Sequence, residues 1–151
     1  MKTTDNLTSV LKSTHPNELK EVFEAHWEKI VSSEKPFCDY MKGLLKQRGL
    51  KQQDVFLAAD ISERYGYKLI NEEKHTRQRD TILRLCYAGK LTLDETQRAL
   101  KLYGMSPLYP RIARDAVLMV AFNNSIYDIH EVNSLLEKHN MEALFPCSPT
   151  E

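Results

Sequence analysis

GLKQQDVFLAADISERYGYKLIN, residues 49–71, is the stretch on which the fold turns. Gly49 closes a helical apolar pattern and is the residue type that most readily takes the left-handed conformation ending a helix. Gln52 to Ala59 and Glu63 to Asn71 are two short stretches of helical periodicity, separated by Asp60-Ile61-Ser62. The pattern predicts two short helices joined by a three-residue turn. Upstream, Pro36 opens a helix in which Phe37, Tyr40, Met41, Leu44 and Leu45 share a face. Further upstream, Val22, Phe23, His26, Trp27 and Ile30 recur at helical spacings over 17–32, with Asn17 in a cap position. Downstream, the polar run Asn71 to Gln78 reads as a loop.

Beyond that loop the chain repeats itself. RDTILRLCYAGKL, residues 79–91, aligns with RDAVLMVAFNNSI, residues 114–126, at an offset of 35, apolar on apolar. After a one-residue insertion the match continues: Glu95 with Glu131, Leu100 with Leu136, Gly104 with Asn140, Met105 with Met141, Leu108 with Leu144, Tyr109 with Phe145 and Pro110 with Pro146. Gly104 and Asn140 mark the same helix end twice. Two helical hairpins follow, about 79–108 and 114–144. Two copies are too few for a free-standing solenoid, so they pack on the domain before them. Thr92 with Glu95 fits a capping box, and Asp94 and Asp128 also precede helical runs.

Composition sets the outer bounds. A chain of 151 residues, 42% hydrophobic and 28% charged, suits one globular domain with its own core and excludes disordered and fibrous classes. Cys38, Cys86 and Cys147 are odd in number and lack CxxC spacing, which reads as free thiols in a reducing compartment. The start has no apolar stretch of signal-peptide length, and no run approaches a membrane span. A cytoplasmic location and no membrane contact are expected. Five histidines without HxxxH pairing predict no metal site, and no cofactor is expected. No catalytic residue is assigned: GxSxG, a phosphate-binding Gly loop and a Cys/His/Asn signature are all missing from the sequence. Cys86, on an apolar helical face, reads as buried and not nucleophilic. His26, beside Trp27, reads as a residue at the edge of the core.

Net charge is zero, with 21 basic and 21 acidic residues. By region, 1–40 carry 5 basic and 7 acidic residues, 41–115 carry 15 and 9, and 116–151 carry 1 and 5. A basic centre of +6 thus lies between acidic ends of −2 and −4.

Taken together, Gly49-Leu50-Lys51-Gln52-Gln53-Asp54-Val55, Ile61-Ser62, Asn71, the helix from Arg79 and Leu91-Thr92-Leu93-Asp94-Glu95 resemble the helix-turn-helix domain of lambda-repressor-like regulators, the XRE family. The resemblance covers roughly a third of the chain. Tyr65-Gly66-Tyr67 with Pro107-Leu108-Tyr109-Pro110-Arg111 and Arg114-Asp115 further looks like a subgroup of bacterial helix-turn-helix proteins of this length. What the resemblance implies is an all-α chain that binds double-stranded DNA as a transcription regulator, without enzymatic activity. The expected organisation is an N-terminal helical extension at 1–35, a lambda-repressor-like helix-turn-helix domain at 36–104, a C-terminal helical hairpin at 105–146 and a tail at 147–151.

The residues themselves support that role. A helix of two to three turns fits the major groove and presents its N-terminal side chains to base edges. Ser62, Glu63, Arg64, Tyr65 and, one turn on, Lys68 would lie nearest the groove. Arg64 can pair with guanine, Lys68, Arg77 and Arg79 can reach phosphates, and Gln52 can contact the backbone. Val55, Ile61, Leu69, Ile70, Ile82 and Leu85 would form the core beneath. Gly66 departs from the family pattern, which places an apolar β-branched residue there. Either it allows close approach of DNA or of another helix while the tyrosine hydroxyls bond phosphates, or its flanking Tyr65 and Tyr67 face a protein partner, or one or both rings pack in the core. The alternative function is accordingly a protein-interaction module that keeps the fold without DNA readout. The apolar run from Ala116 to Phe122 is buried on most sides, in the domain centre or in a homodimer interface. Arg114 and Asp115 start a helix, where the carboxylate complements the dipole.

Overall fold

The computed structural model describes residues 8–10, 12–13, 15–21 and 35–146. Among these, every regular element is helical, and no helix is long and apolar enough to cross a membrane. The chain divides into two compact units, Met1–Lys35 and Pro36–Glu151. In the first, Pro16–Glu18 form a 3-10 turn, so Asn17 lies inside a turn and not at a helix cap. The apolar pattern Val22, Phe23, His26, Trp27 and Ile30 lies outside the described residues, as does Cys147.

The second unit holds α1 (Pro36–Gln47), α2 (Gln52–Ala59), α3 (Glu63–Ile70), α4 (Arg79–Ala88), α5 (Leu93–Leu102), α6 (Ala113–Asn123) and α7 (Ile129–Lys138). Each of them ends in the same way. At the end of α1, Gly49 takes φ +68°, its N–H donates to the Lys46 carbonyl at 3.1 Å, and the next N–H, from Leu50, donates to Leu45 at 2.9 Å. Asp60, Glu72, Lys90, Gly104, Ser125 and Asn140 repeat that left-handed geometry and bond pattern after α2 to α7. Only two of these stops are glycines, so five of the seven helix ends are held against a left-handed cost of roughly 1 kcal/mol each by the bonds they make. Helix starts follow sequence more openly. Thr92 and Glu95 form the capping box, with bonds of 3.2 and 2.9 Å, and Asp128 caps α7 by accepting from His130 N at 2.8 Å.

Packing then follows from the apolar faces. α2 lies on α4, α3 on α1, and α1 runs antiparallel along α5, from Phe37 edge-on to Tyr103 down to Arg48 bonded to Glu95. Val55, Ile61, Leu69, Ile70, Ile82 and Leu85 are all buried in the common core.

The two hairpins α4–α5 and α6–α7 are related by an approximate two-fold axis. α4 packs on α7 and α5 on α6, and the aligned residues Tyr87 and Phe122 stack on each other, ring centroids 3.8 Å apart and 5° from parallel. The repeated Arg-Asp pairs cross that axis. Arg79 forks onto Asp115, and Arg114 forks onto Asp80 at 3.0 and 2.9 Å. Each aspartate also accepts the backbone N–H of the other copy's tail: Asp115 from Tyr109 at 2.9 Å, Asp80 from Phe145 at 3.0 Å. The aligned amides Gln97 and Asn133 hold the N–H groups of Leu108 and Leu144, at 2.7 and 2.9 Å. Asp115 was expected to serve the helix dipole, and its main partners turn out to be across the repeat. The apolar run of α6 is only partly enclosed: Leu118, Ala121 and Phe122 are buried, whereas Val120 is 52% exposed.

Candidate nucleic-acid interface

α2 and α3, eight residues each, meet at Asp60-Ile61-Ser62. Asp60 sits in the left-handed region at φ 57°, Ile61 enters the core, and Ser62 caps α3 by accepting from Tyr65 N at 3.3 Å. Ile61, Tyr65 and Leu69 recur every fourth residue, and Gly66 and Ile70 add a second row, so this stripe faces inward. The opposite stripe, Ser62, Glu63, Arg64 and Tyr67, faces solvent, with Lys68 half-buried.

This placement corrects one expectation. Tyr65, expected near the groove or at a partner surface, is 3% exposed and belongs to the core. The spacing from Ile61 to Leu69 carried that signal. Gly66 is also explained by packing. A Cβ at this position would stand 2.4 Å from the Phe56 ring, so the close approach it permits is that of α2 to α3. Tyr67 then caps the same ring edge-on at 4.9 Å and stays 37% exposed.

Packing of this kind makes a direct prediction. Gly66→Ala gains about 1 kcal/mol of helix propensity but forces the ring or the helix aside, and a net loss of about 2 kcal/mol is expected in urea unfolding. Phe56→Leu in the same chain should return part of that loss. A Gly66→Ala chain as stable as the parent would show that the ring yields freely.

A second correction concerns Arg79. Its guanidinium is committed to Asp115 and to the Pro107 carbonyl at 3.5 Å, so it positions the repeat and is not free for phosphate. Arg77 is exposed in the loop that precedes α4. Tyr103 anchors that loop: its hydroxyl accepts from Thr76 N at 2.8 Å and its ring stacks on His75 at 4.2 Å. Gln52 begins α2 half-buried, and its Oε1 is buried with no hydrogen bond among the described residues. Lys51, just before it, is exposed and was not singled out from sequence.

The surface around α2 and α3 is electrically mixed. Lys51, Arg64, Lys68, Lys74 and Arg77 share it with Asp54, Asp60, Glu63, Glu72 and Glu73. Two of the acids have partners: Glu63 accepts from Gln53 at 3.3 Å, and Glu72 accepts from Cys38 N at 3.2 Å. Leu57, on the outer side of α2, is 81% exposed. Elsewhere, burial pushes the Cys86 thiol up to about 12, so it carries no thiolate at neutral pH. Burial opposes ionisation of Glu95, but the Arg48 guanidinium and the Thr92 bonds hold its carboxyl below the ordinary value. No group of three His, Cys, Asp or Glu among the described residues is placed to hold a metal ion.

Set against protein-family models, curated proteins and solved structures, the chain matches none of them.

Proposed function

We propose that α1 to α5 form a lambda-repressor-like helix-turn-helix domain and that the chain reads double-stranded DNA as a bacterial transcription regulator. The observation that carries this reading is the pair of eight-residue helices on a three-residue turn, with Ser62, Arg64 and Lys68 presented outward from the first two turns of α3. A helix exposed in this way fits the major groove, and Arg64 can fork onto guanine O6 and N7. Gln52 and Lys51 at the start of α2 and Arg77 in the loop before α4 would serve the phosphate backbone under this reading. A symmetric dimer would set two such helices on half-sites one turn apart. Glu63, tied to Gln53, is the acid nearest the reading face, so affinity rests on specific contacts more than on bulk charge.

Selection from random duplexes tests this. One enriched site is expected, with affinity falling steeply as salt rises. Arg64→Ala should cost about 1–3 kcal/mol and relax preference at one base pair, whereas Arg77→Ala should weaken all sequences alike. A chain that retains no duplex at low salt sinks the reading.

A second reading is favoured by Leu57, 81% exposed beside the Phe56–Tyr67 pair. An exposed leucine and a half-exposed tyrosine on a mixed-charge surface suit a protein partner. Under that reading Leu57→Ser and Tyr67→Ala abolish binding of a co-purifying protein, and no duplex is selected.

A further inference from the structure

The approximate two-fold axis relates two hairpins that are not treated alike. In the first, the outer face of α5 is covered by α1. Leu45 packs at Gly89, next to Leu91, Tyr40 lies beside Glu95 and Arg98, and Arg48 closes the contact by bonding Glu95 and the Lys90 carbonyl, the latter at 3.2 Å. In the second, the same positions are open among the described residues. Ile126, Glu131, Ser134, Leu135 and Lys138, which align with Leu91, Glu95, Arg98, Ala99 and Leu102, line a groove of about 400 Å³ on the outer side of α7. The groove is therefore the second copy of a helix seat whose first copy is filled.

The geometry points to a docking site on α7 for an amphipathic helix of a separate protein, basic and of the same chemistry as α1. The filled seat states that chemistry directly. α1 presents Phe37, Met41, Leu44 and Leu45 as its buried side, ends on an arginine that pairs with a glutamate, and lies within a segment, 35–51, that carries five basic residues and one acidic. On α7 the corresponding glutamate, Glu131, has no hydrogen bond or ion pair among the described residues. Charge favours the same occupant. The filled hairpin, 79–108, has five basic and three acidic residues, whereas the open one, 114–144, has two and five. The groove lining sets Glu131 against Lys138, so the acidity belongs to the hairpin as a whole; that field attracts a cationic helix and repels an identical acidic hairpin, which argues against a symmetric pairing of two α7 faces. The buried row of an incoming helix meets Leu135 and Ile126, and its final basic residue meets Glu131, as helix-in-groove recognition requires. This inference is independent of whether α3 reads DNA.

The test uses the full chain and, as probe, a fluorescein-labelled peptide of residues 35–51 with Cys38→Ser. Fluorescence anisotropy should show saturable binding. Leu135→Arg should abolish it, and Glu131→Arg should weaken it by about tenfold through like-charge contact. A peptide carrying Arg48→Glu should prefer the Glu131→Arg chain to the parent. Ser134→Arg, at a solvent-facing position, gives an independent block, and thermal unfolding confirms that each variant folds. Absence of saturable binding overturns the proposal. So does binding that survives Leu135→Arg, which would mean that the peptide displaces the chain's own α1. Concentration-dependent dimerisation lost in Leu135→Arg would assign the groove to a second copy and overturn it as well.

Discussion

Asp115→Ala should destabilise the second unit by about 3 kcal/mol, the low end of the cost of removing one partner from a buried ion pair, because Arg79 keeps about a quarter of its side chain exposed. Asp115 is 1% exposed and accepts three bonds, two from the Arg79 fork and one from Tyr109 N. Alanine leaves a guanidinium facing the repeat interface and removes the acceptor of the Tyr109 backbone N–H. Asp115→Asn keeps the shape and one acceptor oxygen, so its loss should be smaller. Asp80→Ala removes the related pair, Arg114 with Asp80, together with the bond to Phe145 N. Because both pairs close one interface, the double variant should lose less than the two single losses added. Equilibrium urea unfolding reads all of these. An Asp115→Ala loss below about 1 kcal/mol would mean that the pairs behave like exposed salt bridges and that apolar packing alone joins the hairpins.

These pairs show what the sequence made legible and what it did not. Apolar spacing revealed the repeat, and the repeated Arg-Asp dipeptide stood at the head of each copy. Local chemistry suggested only a helix-dipole role, because the partner of each aspartate lies 34 or 36 positions away, across an axis that no periodicity encodes. Helix ends divide in the same way. Gly49 and Gly104 announce themselves, whereas Asp60, Glu72, Lys90 and Ser125 adopt the same left-handed geometry without a residue type that demands it. In the candidate interface, the turn and the outward Arg64 and Lys68 follow from pattern alone. The inward turn of Tyr65 was also encoded, four residues from both Ile61 and Leu69, but the pair of tyrosines around Gly66 suits a contact surface as well as a core, and one ring of the two takes each role. The cause of Gly66 was not encoded locally, since it depends on where the Phe56 ring lands.

Arg84 is a buried position at which the two-fold relation fails, and it carries the second large effect. The aligned residue in the other copy is Met119, so α4 bears a cation where α6 bears an apolar side chain. Arg84 is 5% exposed, and among the described residues its guanidinium donates to three carbonyls: Phe145 at 2.7 Å, Leu144 at 3.0 Å and Ala59 at 3.1 Å. Ala59 is the last residue of α2, and Leu144 and Phe145 belong to the tail of the second hairpin, so one guanidinium fastens the candidate DNA-reading helices to the repeat. Arg84→Met, which imposes the residue found at the related position, should cost about 3 kcal/mol. Three acceptors lose a charged donor at roughly 1–3 kcal/mol each, and burial of an uncharged chain offsets part of that. Arg84→Lys keeps the charge but cannot fork onto three separate oxygens, so it should recover only a fraction. Hydrogen exchange distinguishes this from general loosening: protection should fall first at Asp60 and Ile61, next to the lost Ala59 contact, while the amides of α7 beyond the tail keep theirs. Uniform loss of protection would instead make Arg84 a core residue without a fastening role. If the local pattern holds, the duplicated hairpins act as the base on which α2 is set, and Arg84, buried where the second copy has Met119, is what makes the first copy, and not the second, able to carry it.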